Sequence, residues 1–513
     1  MEMSRFAAAF AASLGLTCAL LSAACNSPWT PLEAPIAATH QLGHVIAAAV
    51  ADQDLPQLSE TVRVLTGKQV EFAAPPLSLA ESGHQRSAVA GTIDVAAVQA
   101  AWTPAGHLQL TAELGKLLLP MSIGKSGAAA CALKWLASGG SAVVSVRFAP
   151  LAGGQAQAEL VDAPKINWQG PGFSAPEACL APLAPTAGPY LDQQIRQMLA
   201  DALLPRLSAA ALHAMRASFA PQLALAGQTT VGPLGSPPLK LKVQSVFGAD
   251  SSANLLTRGA NLTLARLDAA VDVERHACAV DIAPPQIAPH ASVQPTQVPS
   301  GKSILRRGLN LDAALIAHLG WAWVRAGGWC RQAPLSTAAP ISVEWLQEIA
   351  PDLAQWLDSA PTAVRLWPHA SGEWSVVDWQ ENPALEWTFS DATLEIVAPV
   401  GGAEAVVLTL RGRLRGVLRP AVTSAGKVQL LFAHAAMDSA VVSSPLLGDA
   451  VAAGATERLA QLVGAAIQGI SEPAAVLPLE GLLPSGTVVT SVSRAGDSLW
   501  LWLDGGLQEG SGL

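Results

Sequence analysis

Apolar and polar residues alternate strictly over 107–114. Leu108, Leu110, Ala112 and Leu114 share one face, and His107, Gln109, Thr111 and Glu113 share the other. Val144, Val146 and Phe148 alternate with Ser145 and Arg147, residues 155–160 alternate again, and Leu239, Leu241 and Val243 alternate with Lys240, Lys242 and Gln244. A period of two with one polar face predicts half-buried antiparallel strands. A longer β-like segment covers 261–273. Further strands are expected at 363–367, 374–379, 385–389, 393–397, 406–418 and 428–432.

Other stretches carry a helical period. Over 36–50, Leu42, Val45, Ile46, Ala49 and Val50 fall on one side. Leu191, Ile195, Met198, Leu199 and Leu203 mark a second helical face. Leu207, Leu212, Met215 and Phe219 mark a third, with Pro205 expected to break or kink the run between them. Asn310 is positioned to cap a helix over 311–325, and Ser342 one over 343–358. The last amphipathic helix opens at Ser444-Pro445, a capping residue followed by a proline suited to the first turn. Its apolar face includes Leu459, Leu462, Val463, Ala466, Ile467 and Ile470, and Pro473 stops it. A Leu-Pro-Leu-Glu-Gly-Leu-Leu-Pro link at 477–484 leads to a hairpin of two strands, 487–493 and 498–503. In the last strand Trp500 and Trp502 share one face and Leu499, Leu501 and Leu503 the other. Such a strand is buried on both sides, which suits a tunnel lining or a sandwich interior.

Composition sharpens this picture. The chain has 513 residues, half of them hydrophobic and only 13% charged. Its mean hydropathy is +0.34. Soluble chains carry roughly twice that charge, so the apolar surplus belongs in large cores, a partner or an internal ligand surface. No downstream run is apolar enough to span a membrane: Asp312, His318 and Arg325 interrupt the richest one. A net charge of −9 argues against a nucleic-acid partner. Nine of the fifteen tryptophans lie between Trp321 and Trp387. They suit either an apolar ligand rim or a packed core.

The first 25 residues read as an export signal: Arg5, an apolar run over 6–21, then Ser-Ala-Ala-Cys. The small residues before Cys25 resemble a bacterial lipobox, making Cys25 the expected lipidation site; cleavage after an alanine is the other reading. Asn26 after the cysteine favours outer-membrane sorting, facing the periplasm. Residues 26–35 are a polar, Pro-rich tether. Four cysteines remain, Cys131, Cys179, Cys278 and Cys330, and an exported chain oxidises them. Of three connectivities, nearest-neighbour pairing is preferred. Pro284, Pro285, Pro289, Pro295 and Pro299 mark a linker over 284–302, dividing a first module at 36–283 from a second at 303–513.

Catalytic patterns are incomplete. Gly124-Lys125-Ser126 and Gly301-Lys302-Ser303 have Leu119 and Thr296 where a P-loop requires its first glycine. No Gly-x-Ser-x-Gly occurs. His40 and His44 stand one helical turn apart, but Gln41 occupies the position of a zinc protease's glutamate. No enzyme activity, cofactor or metal site is expected.

The order of helix, strands, helix and closing strands, with Ser-Pro opening the late helix and the Leu-Pro-Leu link, resembles the tubular lipid-binding superfamily. Its best-known members are similar to the bactericidal/permeability-increasing protein. The resemblance implies an α+β fold of two tandem modules, each a curved antiparallel sheet wrapped around amphipathic helices. It also implies an apolar tunnel and a lipid or other apolar small molecule as partner. Leu459, Leu462, Val463, Ile467, Trp500 and Trp502 are then the candidate tunnel lining. The alternative is a structural or scaffolding envelope lipoprotein whose apolar surplus is core and interface.

Overall fold

The first regular element departs from the expected helix. Residues Gln41–Ala51 form a strand, and Val45, Ile46, Ala47, Val50 and Ala51 are at most 1% exposed. It lies inside an eight-stranded sheet, between Leu262–Asp272 and Arg307–Asp312. A central strand covered on both faces reads as a continuous apolar run, which periodicity cannot separate from a buried helix. His44 is therefore on a strand and not on the expected helix, and His40 lies outside the described residues.

The computed structural model describes residues 36, 41–79, 84–125, 130–151, 155–170, 172–174, 187–223, 226–231, 239–246, 256–259, 262–277, 279–286, 307–327, 331–334, 346, 350–359, 361–447, 475–477 and 488–504. The chain forms two compact units, each discontinuous in sequence. One comprises Met1–Ala49, Pro221–Ala249 and Arg266–Leu513, the other Val50–Ala220 and Asp250–Ala265. The expected linker over 284–302 falls largely outside the described residues.

The first unit holds one sheet whole and most of another. The eight-stranded one runs Ala226–Val231, Leu239–Val246, Leu262–Asp272, Gln41–Ala51, Arg307–Asp312, Ser498–Asp504, Val488–Ala495, with Leu256–Arg258 paired to Leu262–Asp272. It thus draws strands from both sides of the Pro-rich stretch. The other sheet runs Arg331–Pro334, Ala363–Pro368, Asn382–Val400, Ala403–Val422, Val428–Ser443, Ala475–Leu477, with Glu373–Trp379 also on Asn382–Val400. Its three long strands have 19, 20 and 16 residues. Residues 385–389 and 393–397, expected as separate strands, are one. Register shifts at Phe389/Ala392, Ile396/Val397, Arg411/Arg413 and Val417/Leu418 bend these strands, since each bulge adds local twist. Helix Ala313–Arg325 follows the strand Arg307–Asp312. Its cap is Asp312, whose Oδ1 accepts from the Ala314 amide at 2.8 Å. Asn310, the expected cap, is two residues back in the strand.

The second unit holds a six-stranded sheet and a five-stranded one. The first is Gln155–Leu160, Gly139–Leu151, Leu108–Leu114, Val89–Trp102, Gln69–Ala74, with Lys165–Gln169 on Gly139–Leu151. The second is Gly172–Ser174, Cys131–Ala137, Leu117–Lys125, His84–Arg86, Leu77–Leu79. Helix Leu55–Thr66, not anticipated from the sequence, buries Leu58 and Val62, and Ser59 Oγ accepts from the Ala100 amide at 2.9 Å.

Helix Ala187–Leu223 is continuous through Pro205. Leu191, Ile195, Leu199, Leu203, Leu207, Ala211 and Met215 are each at most 2% exposed. This unbroken face holds the turn at Pro205 against the local cost of proline. Its start is fixed by Asp192, whose Oδ1 accepts from Trp135 Nε1 at 2.8 Å and whose Oδ2 accepts from Arg196 Nε at 2.6 Å.

The fold class is α+β, built of bent antiparallel sheets with helices. Every pairing whose register is described is antiparallel. Among the described residues no helix is long and apolar enough to cross a membrane.

Candidate functional site: the Trp500–Trp502 sheet face

The terminal hairpin joins Val488–Ala495 to Ser498–Asp504, with Gly496 at φ +59 in its turn, a conformation glycine adopts without strain. Three contacts hold it. The Asp497 carbonyl accepts from the Ala313 amide at 3.0 Å, at the start of helix Ala313–Arg325. The Val489 amide donates to the Gly426 carbonyl at 3.1 Å. Arg494 Nη1 donates to Asp378 Oδ2 at 2.7 Å.

Register sets what each face carries. Gly308 pairs with Trp502 and Asn310 with Trp500 on one side. Ser491 pairs with Trp502 and Ser493 with Trp500 on the other. Directly paired residues share a face, so one face presents Gly308, Asn310, Trp500, Trp502, Ser491 and Ser493. The opposite face presents Leu309, Leu499, Leu501, Leu503 and Val489, each at most 3% exposed. The sequence reading of a terminal strand buried on both sides holds: Leu499 to Leu503 are at most 2% exposed.

The two indoles stack, with centroids 5.9 Å apart and planes 22° apart. They lie across Gly308, where an added Cβ would stand 3.0 Å from Trp500 Cζ3 and 3.3 Å from Trp502 Cζ3. Any larger residue there displaces a ring. Trp502 Nε1 donates to Ser493 Oγ at 3.0 Å. Trp500 Nε1, Asn310 Nδ2 and Ser491 Oγ are buried and have no hydrogen-bond partner among the described residues. An unmade buried hydrogen bond costs about 1–3 kcal/mol, so three on one face of three short strands are a concentrated cost. These three groups share the sheet face of the stacked indoles, and apolar walls with a few polar groups are the usual chemistry of a small-molecule site. At the opposite face, burial lowers the Arg307 guanidinium pKa below its ordinary value, and Asp504 partly offsets this.

The remaining sequence-predicted lining residues, Leu459, Leu462, Val463 and Ile467, lie outside the described residues, as do Cys25 and residues 478–484 of the link. Ser444, the expected cap, opens a turn over 445–447. Ser444 Oγ accepts from the Leu446 and Leu447 amides at 3.2 and 3.3 Å and donates to the Val407 carbonyl at 2.8 Å. Cys131 is bonded and does not titrate. Cys179, Cys278 and Cys330 lie outside the described residues, so no pairing is described.

The Trp-rich segment is divided: Trp323, Trp367, Trp374 and Trp379 are half-buried and Trp356 is 54% exposed. Trp321 and Trp387 are 1% and 3% exposed, and Trp321 Nε1 donates to the Ile282 carbonyl at 2.8 Å. Trp374, Trp387 and Phe389 form a chain with centroid spacings of 6.5 and 5.4 Å. Gly320, Gly416 and Gly372 make room for Trp374, Trp387 and Phe389 respectively. Sequence reasoning missed Gly308, Asn310, Ser491 and Ser493, because their signal is the register against Trp500 and Trp502.

Over 90% of its length the chain is similar to a solved lipopolysaccharide binding protein, covering 99% of that chain at 11% identity with a TM-score of 0.38. Over 90% it is also similar to P47 from Clostridium botulinum A2, covering 97% of that chain at 8% identity with a TM-score of 0.28. At this distance the likeness does not say what the chain binds. No family model and no curated protein matches the chain.

Proposed function

We propose that the chain is an exported envelope lipoprotein that binds or shuttles a lipid or similar apolar ligand in an internal groove, without covalent chemistry. The observation that supports it is the Trp500–Trp502 face. There, stacked indoles carry or adjoin three buried polar groups without partners among the described residues, an arrangement that a bound amphiphile would complete. In this reading Leu459, Leu462, Val463 and Ile467 supply the facing helix, and the ligand's chains run between helix and sheet. Cys25 carries the membrane anchor, residues 26–35 are the tether, and the protein faces the periplasm from the outer membrane. Two modules, 36–283 and 303–513, and disulfides Cys131–Cys179 and Cys278–Cys330 belong to the same proposal. A scaffolding role is the second reading. It is favoured by the close fit of Gly320, Gly372 and Gly416 to buried aromatic rings, which leaves that part of the molecule filled.

Ile467→Asp tests the groove. A carboxylate against hydrocarbon leaves an unpaired charge, so the variant should lose bound lipid while its circular dichroism spectrum stays that of the wild type. A folded variant that loads lipid normally would remove Ile467 from the groove.

A further inference from the structure

Trp500, Trp502 and Asn310 are at most 2% exposed, so nothing reaches their face until something moves. Ser491 and Ser493 share that face on the outer strand Val488–Ala495, and they are half-buried. Exposure therefore rises from the middle of the sheet towards the outer strand. Among the described residues this strand ends the eight-stranded sheet, paired to Ser498–Asp504 alone. Ser498–Asp504 and Arg307–Asp312 have neighbours on both sides. Parting either of them breaks a ladder of backbone hydrogen bonds. Entry past the outer strand breaks none.

Two polar ties join the outer strand to the long-stranded sheet. At one end the Val489 amide donates to the Gly426 carbonyl at 3.1 Å, in the turn between Ala403–Val422 and Val428–Ser443. At the other, Arg494 Nη1 donates to Asp378 Oδ2 at 2.7 Å, on the strand Glu373–Trp379. Arg494 is also held by its own hairpin, since its Nε donates to the Gly496 carbonyl at 2.8 Å. The hairpin thus presets the guanidinium, and the facing sheet supplies the carboxylate. The Asp378 side chain is 59% exposed and that of Arg494 28%. An ion pair this open to water holds weakly and is screened by salt. The seam is therefore closed by one backbone hydrogen bond and one weak charge pair.

We propose that this seam is the mouth of the Trp500–Trp502 site and that the Arg494–Asp378 pair is its latch. The seam opens when both ties release together, a local opening that leaves the strands of either sheet paired. Ser493 and its partner Trp500 then become accessible from the edge, and re-forming the pair closes the seam behind the ligand. The mouth rests on the apolar-ligand reading above; the latch rests on the contacts alone.

The test makes two measurements on the full chain: hydrogen exchange of the Val489 amide, whose bond crosses the seam, and lipid uptake from phosphatidylcholine vesicles. Asp378→Ala should speed Val489 exchange about two- to five-fold, the range an exposed ion pair accounts for. Amides of the central strand Arg307–Asp312 should exchange as in wild type. Uptake should quicken by the same factor, with the amount bound at equilibrium unchanged. The reversed pair, Asp378→Arg with Arg494→Asp, should bring both rates back towards wild type, which a mere loss of shape would not allow. Added salt should speed Val489 exchange in wild type and leave Asp378→Ala unmoved. Val489 exchange that is the same in Asp378→Ala as in wild type would overturn the latch. Faster exchange with an unchanged uptake rate would overturn the mouth and leave the lipid reading standing. A wild type that takes no phosphatidylcholine would remove the lipid reading, and the mouth with it.

Discussion

At the scale of single residues, glycines fitted against aromatic rings do much of the positioning. Gly416 is the sharpest case. It pairs directly with Trp387, and an added Cβ would stand 2.4 Å from Trp387 Cζ2. Trp387 is 3% exposed and flanked by Phe389 and Trp374, so its ring has nowhere to go. Gly416→Ala should therefore lose about 1–3 kcal/mol of stability by overpacking, outweighing the conformational gain of removing a strand glycine. Gly188, with nothing within 4 Å of its Cβ position, is the control: Gly188→Ala should be neutral or stabilising by up to about 1 kcal/mol. Thermal melts of the two variants decide it, and equal melting temperatures would contradict the packing account. Asp391 makes a pH-dependent contribution. Hydrogen bonds from Arg411, one of them 2.7 Å from Nε to Oδ1, hold its carboxyl below the usual range. A lowered folded pKa gives stability that is present above the unfolded pKa and lost as pH falls through the folded one. Asp391→Asn should melt slightly lower than wild type at neutral pH, and the difference should vanish in strong acid. A difference that persists there would assign the effect to shape and not to charge.

At the scale of elements, the helix Ala187–Leu223 shows tertiary packing overriding a local rule. Pro205 removes one backbone donor in mid-helix, at a cost of about 3 kcal/mol, yet Leu203 and Leu207 on either side are fully buried. Pro205 is exposed, so Pro205→Ala should raise stability by about 1–3 kcal/mol in denaturant titrations; a less stable variant would show that the bend is needed. The sequence was legible where one face was polar: the strands around Leu110, Val146 and Leu241 stand as read from alternation. It was illegible where both faces were covered. Gln41–Ala51 looked helical because its apolar residues are continuous, and helix Leu55–Thr66 was missed next to it. Trp500 and Trp502 were legible as a doubly buried strand because a period of two survives burial when the two faces differ in residue type. Asn310, Ser491 and Arg86 were not, because a polar residue opposite an apolar one acquires meaning only through strand register. Asn310 in particular resembles a helix cap in sequence, while Asp312 takes that role through its hydrogen bond to Ala314.

At the scale of the whole molecule, the surplus of apolar residues over charge needs a destination. Bent sheets of unusually long strands, with aromatic and aliphatic residues on their covered faces, take up much of it. Buried polar groups beside Trp500, and at Arg86, have no hydrogen-bond partner among the described residues. A carrier has such places because its ligand completes them; a scaffold has no reason to keep them. The most direct measurement is native mass spectrometry of the full chain purified without harsh delipidation. The carrier reading requires bound lipid near one equivalent per loaded site, released on denaturation and recovered on exposure to liposomes. A wild type that carries no lipid as purified and takes none from liposomes would contradict it.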